Sequence, residues 1–117
     1  MTLESRFALE LVTNKWIVQI VHRLQHGPQR FGELRRGVEG ISQRMLTYTL
    51  RKLETDGLVR RTVHALKPPN TEYALTPLGA SLAEVLGTLC HWALAHKEEI
   101  LEFRRRRAVE ATSKSGA

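Results

Sequence analysis

The sequence predicts a mainly α-helical chain with one small β-hairpin. Two observations predict it. Apolar residues recur at helical spacing in five separate stretches, and two short strand-like stretches bracket Pro68-Pro69. Length and composition agree. The chain has 117 residues, the size of one domain. Hydrophobic residues make up 42% and charged residues 26%, the balance of an ordinary globular protein.

Leu3, Phe7 and Leu11 stand at i, i+4 and i+8 and predict a short first helix. Thr13 or Asn14 can cap a second helix, whose stripe is Trp16, Ile17, Ile20, Val21 and Leu24. Gly27-Pro28 stops it. Phe31 and Leu34 fit a short third helix ending near Gly37, with Gly40 in the turn that follows. Ser42 caps a fourth helix over about 42–56, with Gly57 at its end. Leu46, Leu50 and Leu53 should face the core, leaving Gln43, Arg44, Thr47, Tyr48 and Arg51 outside. Leu58 to Val63 and Thr71 to Leu75 read as paired strands over about 58–75, with a loop at 65–70.

Thr76-Pro77 starts the last helix, expected over about 77–106. One stripe holds Leu78, Leu82, Val85, Leu89, Trp92, His96 and Ile100, and Leu86, Cys90, Ala93 and Leu94 widen it. Residues 108–117 read as a frayed tail, so a single domain is expected over 1–107.

A short helix, a turn and a capped helix with a polar, basic outer face form a helix-turn-helix arrangement. The following hairpin makes it a winged helix-turn-helix, α+β in class, with additional N- and C-terminal helices. The charge map supports a polyanionic partner. The net charge is +6, and residues 30–67 alone carry 9 basic and 4 acidic groups.

Several motifs in this order resemble the HxlR-type regulators, small bacterial winged helix-turn-helix transcription factors. They are Asn14-Lys15-Trp16, Gly27-Pro28-Gln29-Arg30-Phe31 with Leu34, and Ile41-Ser42-Gln43-Arg44-Met45-Leu46-Thr47. Leu50, Leu53, Asp56-Gly57-Leu58-Val59 with Arg61, Pro68-Pro69, Glu72-Tyr73, Leu75-Thr76 and Gly79 continue the match, which covers roughly residues 3–96. The resemblance implies a homodimer that binds a partly palindromic operator in double-stranded DNA and regulates nearby genes. It also gives Arg61 a structural role. Two departures stand out. Thr13-Asn14 replaces the usual Gly-Gly before the Lys-Trp pair, and Leu3 occupies the place of an N-terminal sensing cysteine. The signal, and any small-molecule effector, is therefore left open.

The DNA-reading candidates are Ser42, Gln43, Arg44, Thr47, Tyr48 and Arg51. Arg can donate two hydrogen bonds to guanine, and Gln can pair with adenine. Arg30, His64 and Lys67 are phosphate candidates, Lys67 at the wing tip. Arg60 and Arg61 alternate faces of a strand, so they should not both reach DNA. Against each candidate stands a plainer account, a solvated helix face or strand. Arg104 to Arg107 fan around a helix and read first as a solvated C-terminal cap.

The last helix, about 30 residues or about 45 Å, outruns a domain of this size. Its apolar surface is also too broad for one partner. Leu3, Phe7, Leu11, Leu86, Cys90, Ala93 and Leu94 are accordingly the candidates for a dimer interface. Trp16 and Trp92 read as core rather than as a ligand pocket, and Cys90 as a thiol buried between helices.

No nucleophile with an adjacent base, Gly-rich phosphate loop or paired carboxylate points to an enzyme. One cysteine excludes a disulfide framework and a multi-cysteine zinc site and fits a reducing compartment. His22 and His26 have chelating i, i+4 spacing but no third ligand nearby, so no metal or cofactor is expected. MTLESRFALEL does not read as a signal peptide, and no stretch approaches about 18 uncharged apolar residues. These readings point to a cytoplasmic protein with no membrane partner. The competing function is a winged-helix module for protein–protein assembly, its basic surface incidental.

Overall fold

The computed structural model describes residues 2–64 and 70–115. The helices are α1 (Leu3–Thr13), α2 (Lys15–Leu24), α3 (Phe31–Gly37), α4 (Gln43–Thr55), α5 (Pro77–Ala95) and α6 (Lys97–Ser115). The strands are β1 (Gln29–Arg30), β2 (Val59–His64) and β3 (Asn70–Leu75). The chain groups into two compact units, Met1–Leu86 and Gly87–Ala117.

The helix starts follow the predicted caps. Asn14 accepts from the amides of Trp16 and Ile17, Ser42 Oγ accepts from Met45 N, and Thr76 Oγ1 accepts from Gly79 N. The Thr76 hydroxyl also donates to Gly57 O at 2.6 Å, fastening the end of α4 to the start of α5. Gly57 closes α4 in the left-handed region (φ +74°), and Leu58 N reaches back to Leu53 O.

The core of the first unit is built as the periodicity requires. Ile17, Ile20 and Val21 of α2, Leu34 of α3, and Leu46, Leu50 and Leu53 of α4 are all but fully buried. Each such side chain contributes about 1.5–3 kcal/mol relative to exposure. The sheet has three strands rather than two, in the order β1-β3-β2. Gln29 pairs with Tyr73 and Arg30 with Glu72, a nonlocal pairing that gives two residues no periodicity of their own. On the other side β2 runs antiparallel to β3, Arg61 opposite Tyr73 and His64 opposite Asn70.

The last helix departs from expectation in three ways. Residue His96 divides it into α5 and α6, although His96 N still donates to Trp92 O and Ile100 N to His96 O. It continues to Ser115 where fraying from 108 is predicted. Its buried face is also not the large-residue stripe. Gly79, Ala83 and Leu86 go inward and Leu82 of the predicted stripe packs partly against the core, while Leu78, Val85, Leu89 and Trp92 are exposed. At the start of the helix the backbone approaches closely: a Cβ built on Gly79 would collide with Leu58 O, so only the smallest residue fits there.

Trp92 is therefore not core. It stacks on His96 with ring centroids 4.8 Å apart, and Cys90 is exposed rather than buried. Helix α5, with Glu84 its one formal charge, also reaches the length and mean hydropathy (1.3) of a membrane span, which the residue-by-residue reading does not expect.

Candidate nucleic-acid interface

Burial of Leu46, Leu50 and Leu53 turns the opposite face of α4 to solvent. Gln43, Arg44, Thr47, Tyr48 and Arg51 together line one open concavity there. Their spacing explains it, since positions i, i+4 and i+8 share a helix face. No carboxylate among the described residues lies within ion-pairing distance of Arg44 or Arg51. Both guanidinium forks are free to donate. Thr47 is more constrained. Its hydroxyl donates to Gln43 O at 2.9 Å, so it offers a partner an acceptor and a methyl group. Ser42 likewise accepts from Met45 N and retains its own proton for an anion.

Lys52 shows the contrast on the same helix. Its Nζ lies 3.3 Å from Glu10 and 3.7 Å from Asp56. The hydrogen bond it donates to Glu10, then the charges of Asp56 and Glu10, raise its pKa above 10.5. This cation is satisfied internally and ties α1 to α4.

Beside α4, Arg61 joins Thr47, Leu50, Arg51, Glu54 and Tyr73 around a second concavity, so it lies against that helix. His64 stands with Nε2 3.8 Å from Glu72 Oε2. Arg30 is exposed at the β1–α3 junction. Lys67 lies outside the described residues.

Sequence reasoning missed Arg35 and Arg36. Both are exposed on α3, and together with Phe31, Gly32, Ile41 and Gln43 they line a further concavity adjoining the reading face. The available signal was two adjacent arginines in the last turn before the helix-turn-helix turn.

Of the dimer candidates, Leu3 (83% exposed), Phe7 (67%), Leu94 (70%), Cys90 and Ala93 are open to solvent. Leu11 packs partly against the core, and Leu86 is buried within it at 5% exposure. Leu86 is thus occupied by its own chain, and the outward side of α5 is carried by Leu78, Val85 and Leu89 instead. Among the described residues no group of three or more His, Cys, Asp or Glu side chains could hold a metal ion. His22 and His26 meet edge to face, with ring centroids 5.6 Å apart.

Comparisons with known proteins point one way. A family model described as HxlR-like helix-turn-helix matches residues 11–100. The chain is 40% identical over 105 residues to YtfH of Escherichia coli K12, an uncharacterized HTH-type transcriptional regulator, covering 90% of this chain and 83% of YtfH. It is 43% identical over 88 residues to the HTH-type regulator YtcD of Bacillus subtilis, covering 75% and 70%. Among solved structures, the redox regulator HypR in its reduced form superimposes with a TM-score of 0.78 at 34% identity, over 85% of this chain and 98% of HypR. These relatives are transcriptional regulators and not enzymes.

Proposed function

This chain belongs to the HxlR-like helix-turn-helix family of transcriptional regulators, and from that premise we propose that it acts as a homodimer on a partly palindromic operator. Helix α4 enters the major groove, which is wide enough for one helix. Arg44 and Arg51 donate to guanine edges, Gln43 pairs with adenine, and Tyr48 and Ser42 reach phosphates or base edges. The observation that carries this reading is the convergence of Gln43, Arg44, Thr47, Tyr48 and Arg51 on one solvent-facing surface of α4.

The dimer is supported by the apolar surface left open. Leu3 and Phe7 on α1, Leu78, Val85, Leu89, Trp92 and Leu94 on α5, and Phe103 and Val109 on α6 are all exposed in the single chain. Exposed apolar surface of that extent marks an interaction site. A second copy related by a two-fold axis covers the same faces on both chains. It also sets two reading helices about one DNA turn apart, about 34 Å. The expected site of action is the cytoplasm, and α5 then serves as an interface helix rather than a membrane span. An effector, where one acts, changes the spacing or angle of the two reading helices.

The test is selection of bound sequences from a random duplex pool at physiological salt. A partly palindromic motif with half-sites about one turn apart is the expected result. Recovery of no motif, with only weak salt-sensitive binding, would overturn the reading in favour of an assembly module.

A further inference from the structure

A notch on the wing side of α3 has no place in the reading face described above. Arg30, Phe31, Gly32, Glu33, Arg36, Asn70 and Thr71 line it. It forms where β1 hydrogen-bonds to β3, so the third strand is what brings Asn70 and Thr71 beside α3. Arg30 and Arg36 both line it, and neither has a carboxylate within ion-pairing distance among the described residues. Glu33 is the one acid in its lining, and its Oε1 is engaged by the backbone N–H of Arg30 at 3.1 Å. The lining therefore carries a net positive charge. Glu72, opposite Arg30 in the strand register, lies against His64 instead.

Gly32 shapes the floor. A Cβ built there would stand 3.3 Å from Arg36 Nη1 and 3.9 Å from Cζ, so the guanidinium lies back across the bare backbone of its own helix. Asn70 and Thr71 close the notch on the strand side, and because neighbours on a strand alternate faces, one of the two side chains adds a neutral donor beside the arginines. Such a set suits a phosphate oxygen, which takes charge-assisted hydrogen bonds from Arg. The notch is also not isolated. Phe31, Gly32 and Arg36 line the next concavity too, and that one reaches Gln43 at the edge of the reading face.

We propose that Arg30 and Arg36, against the strand edge at Asn70 and Thr71, form a dedicated site for one backbone phosphate of the bound duplex, separate from the base-reading face of α4. This rests on the DNA-binding reading above. The site fixes the register of α4 in the groove and carries no sequence information. Arg36 is its principal cation, and its guanidinium lies close over the backbone of Gly32.

The experiment is titration of the full chain and its Arg36→Ala and Arg36→Lys variants. Each is titrated with the selected operator and with an unrelated duplex from 50 to 200 mM salt. Arg36→Ala should weaken both duplexes alike and reduce the salt slope by about 1. The gap to wild type should then narrow about fourfold across that salt range. Arg36→Lys should recover the slope, because the charge remains. Thermal melting should be unchanged, since Arg36 is exposed. Wild-type affinity and slope in Arg36→Ala would overturn the site while leaving the reading helix intact. An unrelated duplex left unaffected while the operator is weakened would also overturn it, making Arg36 a base reader. A parallel titration with inorganic phosphate tests the other source of the same chemistry. Saturable shifts at Arg36 and Thr71, with unchanged DNA affinity in Arg36→Ala, would place a free anion in the notch and overturn the DNA assignment. Failure of the wild-type chain to bind any duplex would overturn this site and the function beneath it together.

Discussion

Helices α4 and α5 divide their residues in opposite ways. Helix α4 buries Leu46, Leu50 and Leu53 and shows a polar face. Helix α5 buries Gly79, Ala83 and Leu86 and shows Leu78, Val85, Leu89 and Trp92. The first is the ordinary partition of an amphipathic helix. The second is a partial inversion, and at its start close approach contributes to it. Where the backbone of α5 crosses Leu58 O there is no room for a side chain at Gly79; Leu82 and Leu86 still pack inward further along. A helix with its polar face out is suited to a polar partner, the edges and phosphates of DNA. A helix with its largest apolar residues out is suited to another helix face like itself.

The largest effect is expected where α4 is stripped of its two free cations. Arg44→Ala with Arg51→Ala should cost about 2–6 kcal/mol of operator binding, at least about 30-fold, from two guanine contacts. Thermal melting should hold, because both side chains are exposed. Titration with the selected duplex reads the first quantity and circular dichroism the second. Wild-type affinity in the double variant would break the comparison on its polar side.

Next comes the buried side of α5. Gly79→Ala sets a methyl group against Leu58 O and should destabilise by about 2–3 kcal/mol, or ~10 °C in melting temperature. Gly87→Ala is the control on the same helix, since nothing lies within 4 Å of a Cβ there. It should stabilise by up to about 1 kcal/mol through helix propensity alone. Equal effects of the two changes would show that close approach is not what inverts α5.

The exposed side of α5 is tested by Leu89→Glu. A buried, unpaired carboxylate is costly in an interface and harmless on a solvated helix. Light scattering should show the wild-type chain at twice the monomer mass and the variant at the monomer mass, with unchanged helix content. A variant that stays dimeric would move the interface off this face of α5.

How far each half of the comparison was legible in the sequence follows from the same physics. The face of α4 was legible because its leucines are large and their spacing is local. The caps Ser42 and Thr76 were legible because a hydroxyl at a helix start has one main use. The register of α5 was not, because hydrophobic size points outward there and the deciding contact, Gly79 on Leu58 O, joins distant residues. Strand β1 was missed for a related reason. Gln29 and Arg30 become a strand only by pairing with Tyr73 and Glu72. With β1 went the setting of Arg36, whose surroundings include Asn70 and Thr71 from that same pairing. The helical run past 106 was hidden by the small, polar tail, although Ala108, Glu110 and Ala111 suit a helix.

The smallest effect concerns the polar face of α4 itself, which is not uniformly available to DNA. Lys52 is a cation on the reading helix, yet Glu10 and Asp56 already hold it. Lys52→Met should leave operator affinity and its salt slope unchanged, while Arg36→Ala alters them. Its cost to stability should stay within about 1 kcal/mol, as for other exposed pairs. The pH dependence follows from the direction of the shift. Glu10 and Asp56 raise the Lys52 pKa above 10.5, so folding favours the protonated form. The stabilisation is complete below 10.5 and is lost as pH rises through the raised value. Thermal melts of wild type and Glu10→Gln should therefore differ by a small constant amount at neutral pH and converge in strong alkali. A Lys52 variant that lost DNA affinity would mean that the α1–α4 tether, and not only the free arginines, sets the reading face.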